Sequence, residues 1–242
     1  METKLFLLIL LLAFIMISGS FSATFTFENK CPYTVWPGIL TNPGVPPFPS
    51  TGFELQNRAS QSFNAQGWAG RFWARTDCTN TEKFTCATAD CGSGQIGCNG
   101  AGAIPPASLV EMTMNGGANR DTDFYDISLV DGFNLPLSVT PQGGSGCKPV
   151  SCEADVNSLC PTELSVKGPD GNNIACKSAC LVFNQPQYCC TGQFGSPTTC
   201  PPTNYSKIFK DACPQAYSYA YDDKTSTFTC PTGANYLITF CS

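Results

Sequence analysis

The chain has 242 residues, 16 cysteines and no histidine, and its formal charge is −5. Without an imidazole, Ser-His-Asp and Cys-His catalysis, His-ligated metals and histidine proton shuttles are excluded together, so any acid–base chemistry falls to Asp, Glu, Tyr or Lys. A pI near 4.6 argues against nucleic acid and anionic membrane surfaces as partners and leaves neutral ligands such as sugars.

The N-terminus carries Lys4, an apolar run from Leu5 to Ile17 and small residues before a cut expected between Ser22 and Ala23. This predicts a secretory signal peptide over 1–22, whose apolar core is too short to span a bilayer comfortably. The mature chain, 23–242, has no second long apolar run and is expected to be secreted, soluble and monomeric, with no stable membrane span. Its even number of cysteines in an oxidising compartment predicts eight disulfides. Adjacent Cys189 and Cys190 are expected to leave for different partners, because a bond between neighbours is strained. A zinc reading of close pairs such as Cys86 and Cys91 is the weaker one in a secreted chain without histidine, and neither a metal nor a cofactor is expected.

Ala23 to Glu28 alternates as a strand, with Phe25 and Phe27 on one face, and Thr34 to Trp36 reads as its antiparallel neighbour. The six prolines from Pro32 to Pro49 confine that segment to a loop or a sheet edge. Short strands resume around Phe53, Leu55 and Phe63 and through Gly67 to Arg75, where Trp68, Phe72 and Trp73 are core candidates. Arg71 and Arg75 share one strand face, and arginines so placed are expected at a surface. Residues 77–106 are rich in cysteine and glycine and poor in aliphatics; such a piece cannot build its own core and reads as a lobe held by local disulfides.

The stretch from Ser108 to Pro136 is where chemistry is expected. Val110, Met112 and Met114 fall on one strand face and Glu111 on the other; Tyr125, Ile127 and Leu129 likewise throw Asp126 to the opposite face. Asp131-Gly132 is a turn signal, and since 126 and 131 have opposite parity, both acids reach one surface only if the chain bends between them. Cysteines cluster again across 151–213, with helical fragments in place of alternation. The strongest helix runs from Asn204 to Cys213, capped by Thr203 or Asn204, with Ile208, Phe209 and Ala212 on one face. Asn204-Tyr205-Ser206 is also a glycosylation sequon. Phe228 to Cys230 and Asn235 to Cys241 return to strands, so both ends of the mature chain belong to one β domain formed by 23–76, 107–150 and 214–242.

These residues together resemble the plant pathogenesis-related thaumatin-like proteins. The resemblance spans the mature chain and rests on ATFTFENKCPYTVWPG at the start, RFWARTDC at 71–78, CATADCGSGQIGCNG at 86–100, DFYDISLVDGFNLP at 123–136, QYCC at 187–190, NYSKIFKDACPQAYSYAYDDKTSTFTCP at 204–231 and NYLITFC at the end. It implies a mainly β fold: a thaumatin-like β-sandwich with two disulfide-rich lobes, short helices in the larger lobe, and a cleft between sandwich and larger lobe. It also implies the pairings Cys31–Cys241, Cys78–Cys86, Cys91–Cys98, Cys147–Cys230, Cys152–Cys213, Cys160–Cys176, Cys180–Cys189 and Cys190–Cys200. The family's cleft arginine matches Arg71, its glutamate Glu111 and two of its aspartates Asp126 and Asp131, while the position of its last aspartate holds Gln215. Two further departures are Glu82 and Lys83 in a shortened loop before Cys86, and extra spacing between Glu111 and Asp126. Phe124, Tyr125, Phe133 and Tyr217 are the aromatic candidates beside the acids.

The function this implies is a secreted plant defence protein that binds β-1,3-glucan or another neutral polysaccharide of fungal walls, because carboxylates accept sugar hydroxyls and aromatic faces stack on pyranose rings. Two alternatives stand beside it. One is a weak endo-β-1,3-glucanase with catalytic Glu111, Asp126 and Asp131, in which Glu111 holds the proton and an aspartate near Arg71 stays ionised. The other is an inhibitor or interaction protein acting on a pathogen or digestive protein.

Overall fold

The computed structural model describes residues 22–116 and 121–242, so the expected leader, apart from Ser22, lies outside the described residues. Thirteen strands are found among them: β1 (Ser22–Asn29), β2 (Trp36–Thr41), β3 (Ser60–Gln66), β4 (Ala69–Asn80), β5 (Phe84–Thr88), β6 (Leu109–Gly116), β7 (Thr122–Ser128), β8 (Leu137–Gln142), β9 (Val150–Cys152), β10 (Ser165–Lys167), β11 (Asn173–Cys176), β12 (Phe228–Pro231) and β13 (Asn235–Phe240). The helices are short: α1 (Val156–Leu159), α2 (Ala179–Phe183), α3 (Pro186–Cys189), α4 (Asn204–Ala212) and α5 (Asp223–Ser226).

Two sheets make the sandwich. One has the order β3-β1-β13-β8-β9; the other runs β12-β7-β6-β4-β2, with β5 folded back on the far end of β4. The alternation in β1 buries Phe25 and Phe27, which meet Phe48, Trp68 and Phe72 in an aromatic cluster whose tightest pair, Trp68 and Phe72, stacks at 4.4 Å. In the same core, Val110, Met112, Tyr125 and Ile127 line the inner faces of β6 and β7, opposite Phe25 and Phe27 of β1. Buried Asp123 ties the sheets together by accepting from the Tyr236 hydroxyl at 2.8 Å. Its parity places it with the core residues of β7, not with Asp126.

The termini do meet: β1 pairs in parallel with β13, from Phe25 opposite Tyr236 to Asn29 opposite Phe240. This pairing changes the expectation for 34–36. The segment does not return beside β1, whose two edges are taken by β13 and, antiparallel, by β3. It crosses instead to the other sheet, where Trp36 opposes Arg75 and β2 forms the edge that its proline content foretold.

All eight disulfides have the expected pairings, and Cys189 and Cys190 do part company. The small lobe, stapled by Cys78–Cys86 and Cys91–Cys98, folds over the outer face of the β4 sheet. It buries Trp73 against Ala89, Cys91, Cys98, Ala107 and Leu109, with the indole N–H donating to the Ala89 carbonyl. β2 approaches so closely that a Cβ on Gly38 would lie 2.4 Å from the Trp73 ring, which is why glycine stands there.

Arg75, expected at a surface, is fully buried instead. Its guanidinium donates to the carbonyls of Trp36 (3.0 Å), Pro37 (3.3 Å), Gln95 (3.5 Å) and Ile96 (2.5 Å) and lies 5.0 Å above the Phe84 ring. Burial pushes its pKa down to about 10, against the pull of Asp90, which leaves it charged at neutral pH. One cation thus satisfies carbonyls from the edge strand and from the lobe, joining the two.

The larger lobe holds the β10–β11 ribbon and α1 to α4. In α4 the Thr203 side chain accepts from the Ser206 amide while Ser206 reaches back to the Thr203 amide, a reciprocal cap, and Phe209 faces inward as its spacing predicts. Asn204 is exposed on the first turn of that helix.

A row of charge on the outer sheet face

Three adjacent strands place Arg71, Glu111 and Asp126 directly opposite one another: Arg71 of β4 pairs with Glu111 of β6, and Glu111 with Asp126 of β7. The cause is parity. Each lies one residue from a core position, Phe72, Val110 or Ile127, so the pleat turns it outward once the inward set is buried. The next row along the same face is Trp73 and Leu109, which the small lobe covers. The charged row sits just beyond the lobe's edge. The register of β6 on β7 shifts between Thr113 and Gly116, and Glu111 and Asp126 stand opposed on the strand-pairing side of that shift.

The row borders an open hollow of about 220 Å³, lined also by Asn42 and Phe124. Phe124 lies beside Thr113 on the outer face and is only partly buried, which leaves its ring available to a ligand. Phe133 and Tyr125, by contrast, are fully buried in the sandwich core and have no face to offer a sugar. For Phe133 the reason is the bend that sequence parity demanded. The chain turns at Asp131-Gly132, with Gly132 at φ +86°, where a Cβ would meet the Cys176 carbonyl at 2.5 Å. That turn drives Phe133 inward, with backbone bonds in both directions to Cys176. Asp131 stays partly exposed and close enough to Glu111 to raise its pKa.

The electrostatics of the row are uneven. Arg71 Nη2 lies 3.6 Å from Glu111 Oε1, both side chains 37% exposed. Burial raises the Glu111 pKa, Arg71 pulls it down and Asp131 pushes it up again. Asp126 has no such neighbour: its Oδ1 is buried without a hydrogen-bond partner, and burial, Glu111 and Asp223 together push its pKa up to about 8, with Arg71 only partly opposing. Both carboxyls are shifted upward, and the large shift falls on Asp126, which lacks the close guanidinium contact that Glu111 has. The upward shift of Glu111 has the direction expected from the sequence, and the shift of Asp126 is the larger because Arg71 reaches Glu111.

Tyr217 is docked on β7 by its backbone, its N–H donating to Ile127 and its C=O accepting from Leu129, both at 2.8 Å. Its hydroxyl donates to Asp223 Oδ1 at 3.0 Å and contacts Thr227 Oγ1 at 2.5 Å; its pKa is pushed up to about 12, chiefly by burial. Gln215 lies two residues upstream, with Oε1 accepting from the Ser151 amide of β9 at 3.1 Å. Asp222 and Asp223 stand near Gln215 in the sequence as candidate substitutes for the missing aspartate, while Thr227 and Asn42 carry no such signal. Asp223 is one of a pair of adjacent aspartates that nothing local distinguishes, and Asn42 follows a strand whose sheet was misassigned.

A two-sheet sandwich stapled by eight disulfides, with a row of one arginine and two acids open on its outer face, defines the architectural class. The sequence profile of the Thaumatin family matches residues 29–242, and the chain belongs to that family. It is 64% identical over 228 residues to thaumatin-like protein 1 of Pyrus pyrifolia, with 93% of each chain covered. It is 58% identical over 245 residues to a glucan endo-1,3-beta-glucosidase of Prunus avium, covering 100% of this chain and 99% of that one. Among solved structures, a laminaripentaose-producing β-1,3-glucanase in complex with laminaritetraose superposes with a TM-score of 0.60, covering 92% of this chain and 99% of that one. Its sequence identity is 11%, so the likeness is one of fold.

Proposed function

We propose that the protein is a secreted defence protein that binds β-1,3-glucan of fungal walls along the Arg71–Glu111–Asp126 row. The observation that carries this reading is the open hollow itself. It combines two carboxyls, a guanidinium, an amide and the partly exposed face of Phe124, which is a donor and acceptor set suited to a neutral chain of hydroxyls with apolar ring faces. Asp131 lies close enough to Glu111, and Tyr217 to Asp126, for their charges to interact, whereas the Gln215 amide oxygen is held by Ser151 of β9 in the other sheet. Eight disulfides favour an oxidising, extracellular destination, where a monomer acts without cofactor or metal.

A second reading, slow endo-hydrolysis, is favoured by one specific feature: two opposed carboxyls that burial raises in pKa, Asp126 furthest, to about 8. In it Asp126 donates its proton to the leaving glycosidic oxygen as that bond breaks, and Glu111 takes a proton from the attacking water as the new C–O bond forms. The similarity to a glucan endo-1,3-beta-glucosidase of Prunus avium is consistent with this second reading.

The test is retention of the purified, oxidised mature protein on insoluble β-1,3-glucan against cellulose, with reducing ends counted in the supernatant. Retention without release identifies a binder, and retention with release a hydrolase. Equal retention on both polymers rejects the glucan reading. For a hydrolase, Glu111→Gln and Asp126→Asn abolish release and leave retention largely intact.

A further inference from the structure

We propose that Asn204 is an N-glycosylation site of this protein, and that the first N-acetylglucosamine of its glycan packs on a cluster of three aromatic rings, Phe183, Tyr188 and Tyr205, on the larger lobe. The proposal rests on the secreted reading, since the sugar is added only to chains that enter the secretory route.

The rings come from three helices. Phe183 ends α2, Tyr188 lies in α3 and Tyr205 in the first turn of α4. Their centroids stand 5.3 Å (Phe183–Tyr188), 5.3 Å (Phe183–Tyr205) and 5.8 Å (Tyr188–Tyr205) apart, so each ring packs on both others. Two disulfides hold the helices in that arrangement: Cys180–Cys189 ties α2 to α3, and Cys190–Cys200 ties the end of α3 to the segment leading into α4. The Tyr205 hydroxyl donates to Glu163 Oε1 at 2.9 Å, which fixes that ring from its far edge. All three rings remain partly exposed, and Leu181 of α2 is 39% exposed. A rigid aromatic patch bordered by a carboxylate thus faces solvent.

The sequence itself indicates what covers it. Tyr205 is the middle residue of Asn204-Tyr205-Ser206, so a sugar on exposed Asn204 starts one residue from the cluster. Helical Cα–Cβ bonds tilt towards the N-terminus, and the N-terminus of α4 is the end that Cys190–Cys200 joins to α3, so a group on Asn204 leaves towards that junction. A pyranose ring presents C–H bonds on one face, and these pack against the negative face of an aromatic ring. N-acetylglucosamine adds a methyl group and an amide N–H, which match an aromatic surface with an acceptor at its border.

Timing follows from the helix cap. Ser206 is 8% exposed and its hydroxyl is engaged with Thr203, so the folded helix hides the hydroxyl that completes the sequon. Transfer therefore belongs to the chain before α4 forms. There the Asn204 amide nitrogen bonds to the anomeric carbon of a lipid-diphosphate oligosaccharide as the bond from that carbon to the diphosphate breaks. The amide proton is lost to solvent and the lipid diphosphate leaves. Asn204 is exposed in the fold, so α4 closes with the sugar in place.

The test is expression of the full chain in plant cells, with intact-mass analysis of the oxidised protein recovered from the medium. The expected result is a mass above that of the polypeptide, which falls on treatment with a peptide N-glycosidase that converts the asparagine to aspartate; Asn204→Gln removes the excess. Packing is read by NMR. The N-acetyl methyl signal of the first sugar is expected upfield, and that shift is expected to be lost in Tyr188→Ala, which leaves the sequon intact. Tyr205→Leu, which also keeps the sequon, is the second probe if Tyr188→Ala is not secreted. Protein in the medium at the bare polypeptide mass overturns the proposal and leaves the secreted reading standing. Protein held in the cytosol without sugar rejects that reading and the proposal together. A glycan whose methyl signal responds to neither ring variant overturns the packing.

Discussion

Replacing Asp126 by Asn should stabilise the protein at alkaline pH and do almost nothing in acid. The Asp126 carboxyl is surrounded by buried surface and two other acids, and its pKa rises from the ordinary 3.8 to about 8. A group whose folded-state pKa lies above its unfolded value favours the fold fully below the unfolded value, and that contribution is lost as pH rises through the folded one. Between pH 4 and 8 the native protein must therefore either keep a proton that the unfolded chain has released or carry an ill-solvated charge. At ~1.4 kcal/mol per pH unit the full rise corresponds to about 6 kcal/mol. Solvent at the mouth of the hollow screens part of this, so we expect about 2–3 kcal/mol at pH 9, or ~5–10 °C in Tm for a domain of this size. Guanidinium unfolding of both proteins with disulfides intact, at pH 4, 6, 7.5 and 9, measures it. The gap should be within ~0.5 kcal/mol at pH 4 and grow steadily with pH. A gap that is constant across the series would refute the reasoning, because it would mean the effect comes from packing and not from the proton.

Other consequences follow from the same geometry. Arg75→Met leaves four carbonyls of the edge strand and small lobe without their donor and should cost about 3–4 kcal/mol. Hydrogen exchange should show amides near Cys98 losing protection before the sandwich does, and Arg75→Lys should not rescue them because an ammonium cannot fork across carbonyls. Arg71→Met should change stability by less than ~0.5 kcal/mol, since the pair with Glu111 is part exposed, yet raise the Glu111 titration midpoint in carboxyl NMR. Removing Cys31–Cys241 as a double serine variant opens a closure of 210 residues; other bridges lie inside that loop, so the loss should be ~3 kcal/mol rather than the ~5 of an isolated loop, measured by denaturant unfolding.

Much of this molecule is a direct consequence of local pattern. Period-two alternation put Phe25 and Phe27 inward and Glu111 and Asp126 outward, because a pleated strand with one buried face admits no other register. The reciprocal cap and inward Phe209 of α4 were equally legible, as was the turn at Asp131-Gly132. The disulfide pairings came from family resemblance, since sixteen cysteines carry no pairing information of their own. What the sequence could not determine were the quantities set by neighbours remote in the chain. Whether residues 34–36 join β1 depended on β13, more than two hundred residues away, already holding that edge. The same holds for Arg75, whose burial needed the small lobe to bring the Gln95 and Ile96 carbonyls to it, and for Phe133, which the turn drove into the core. Which acid is shifted furthest was decided in the same way: Arg71 reaches Glu111, while Asp126 is buried beside Glu111 and Asp223 with Arg71 opposing only in part. Direction along a strand is a local property of the chain, whereas electrostatic environment belongs to the assembled sheet.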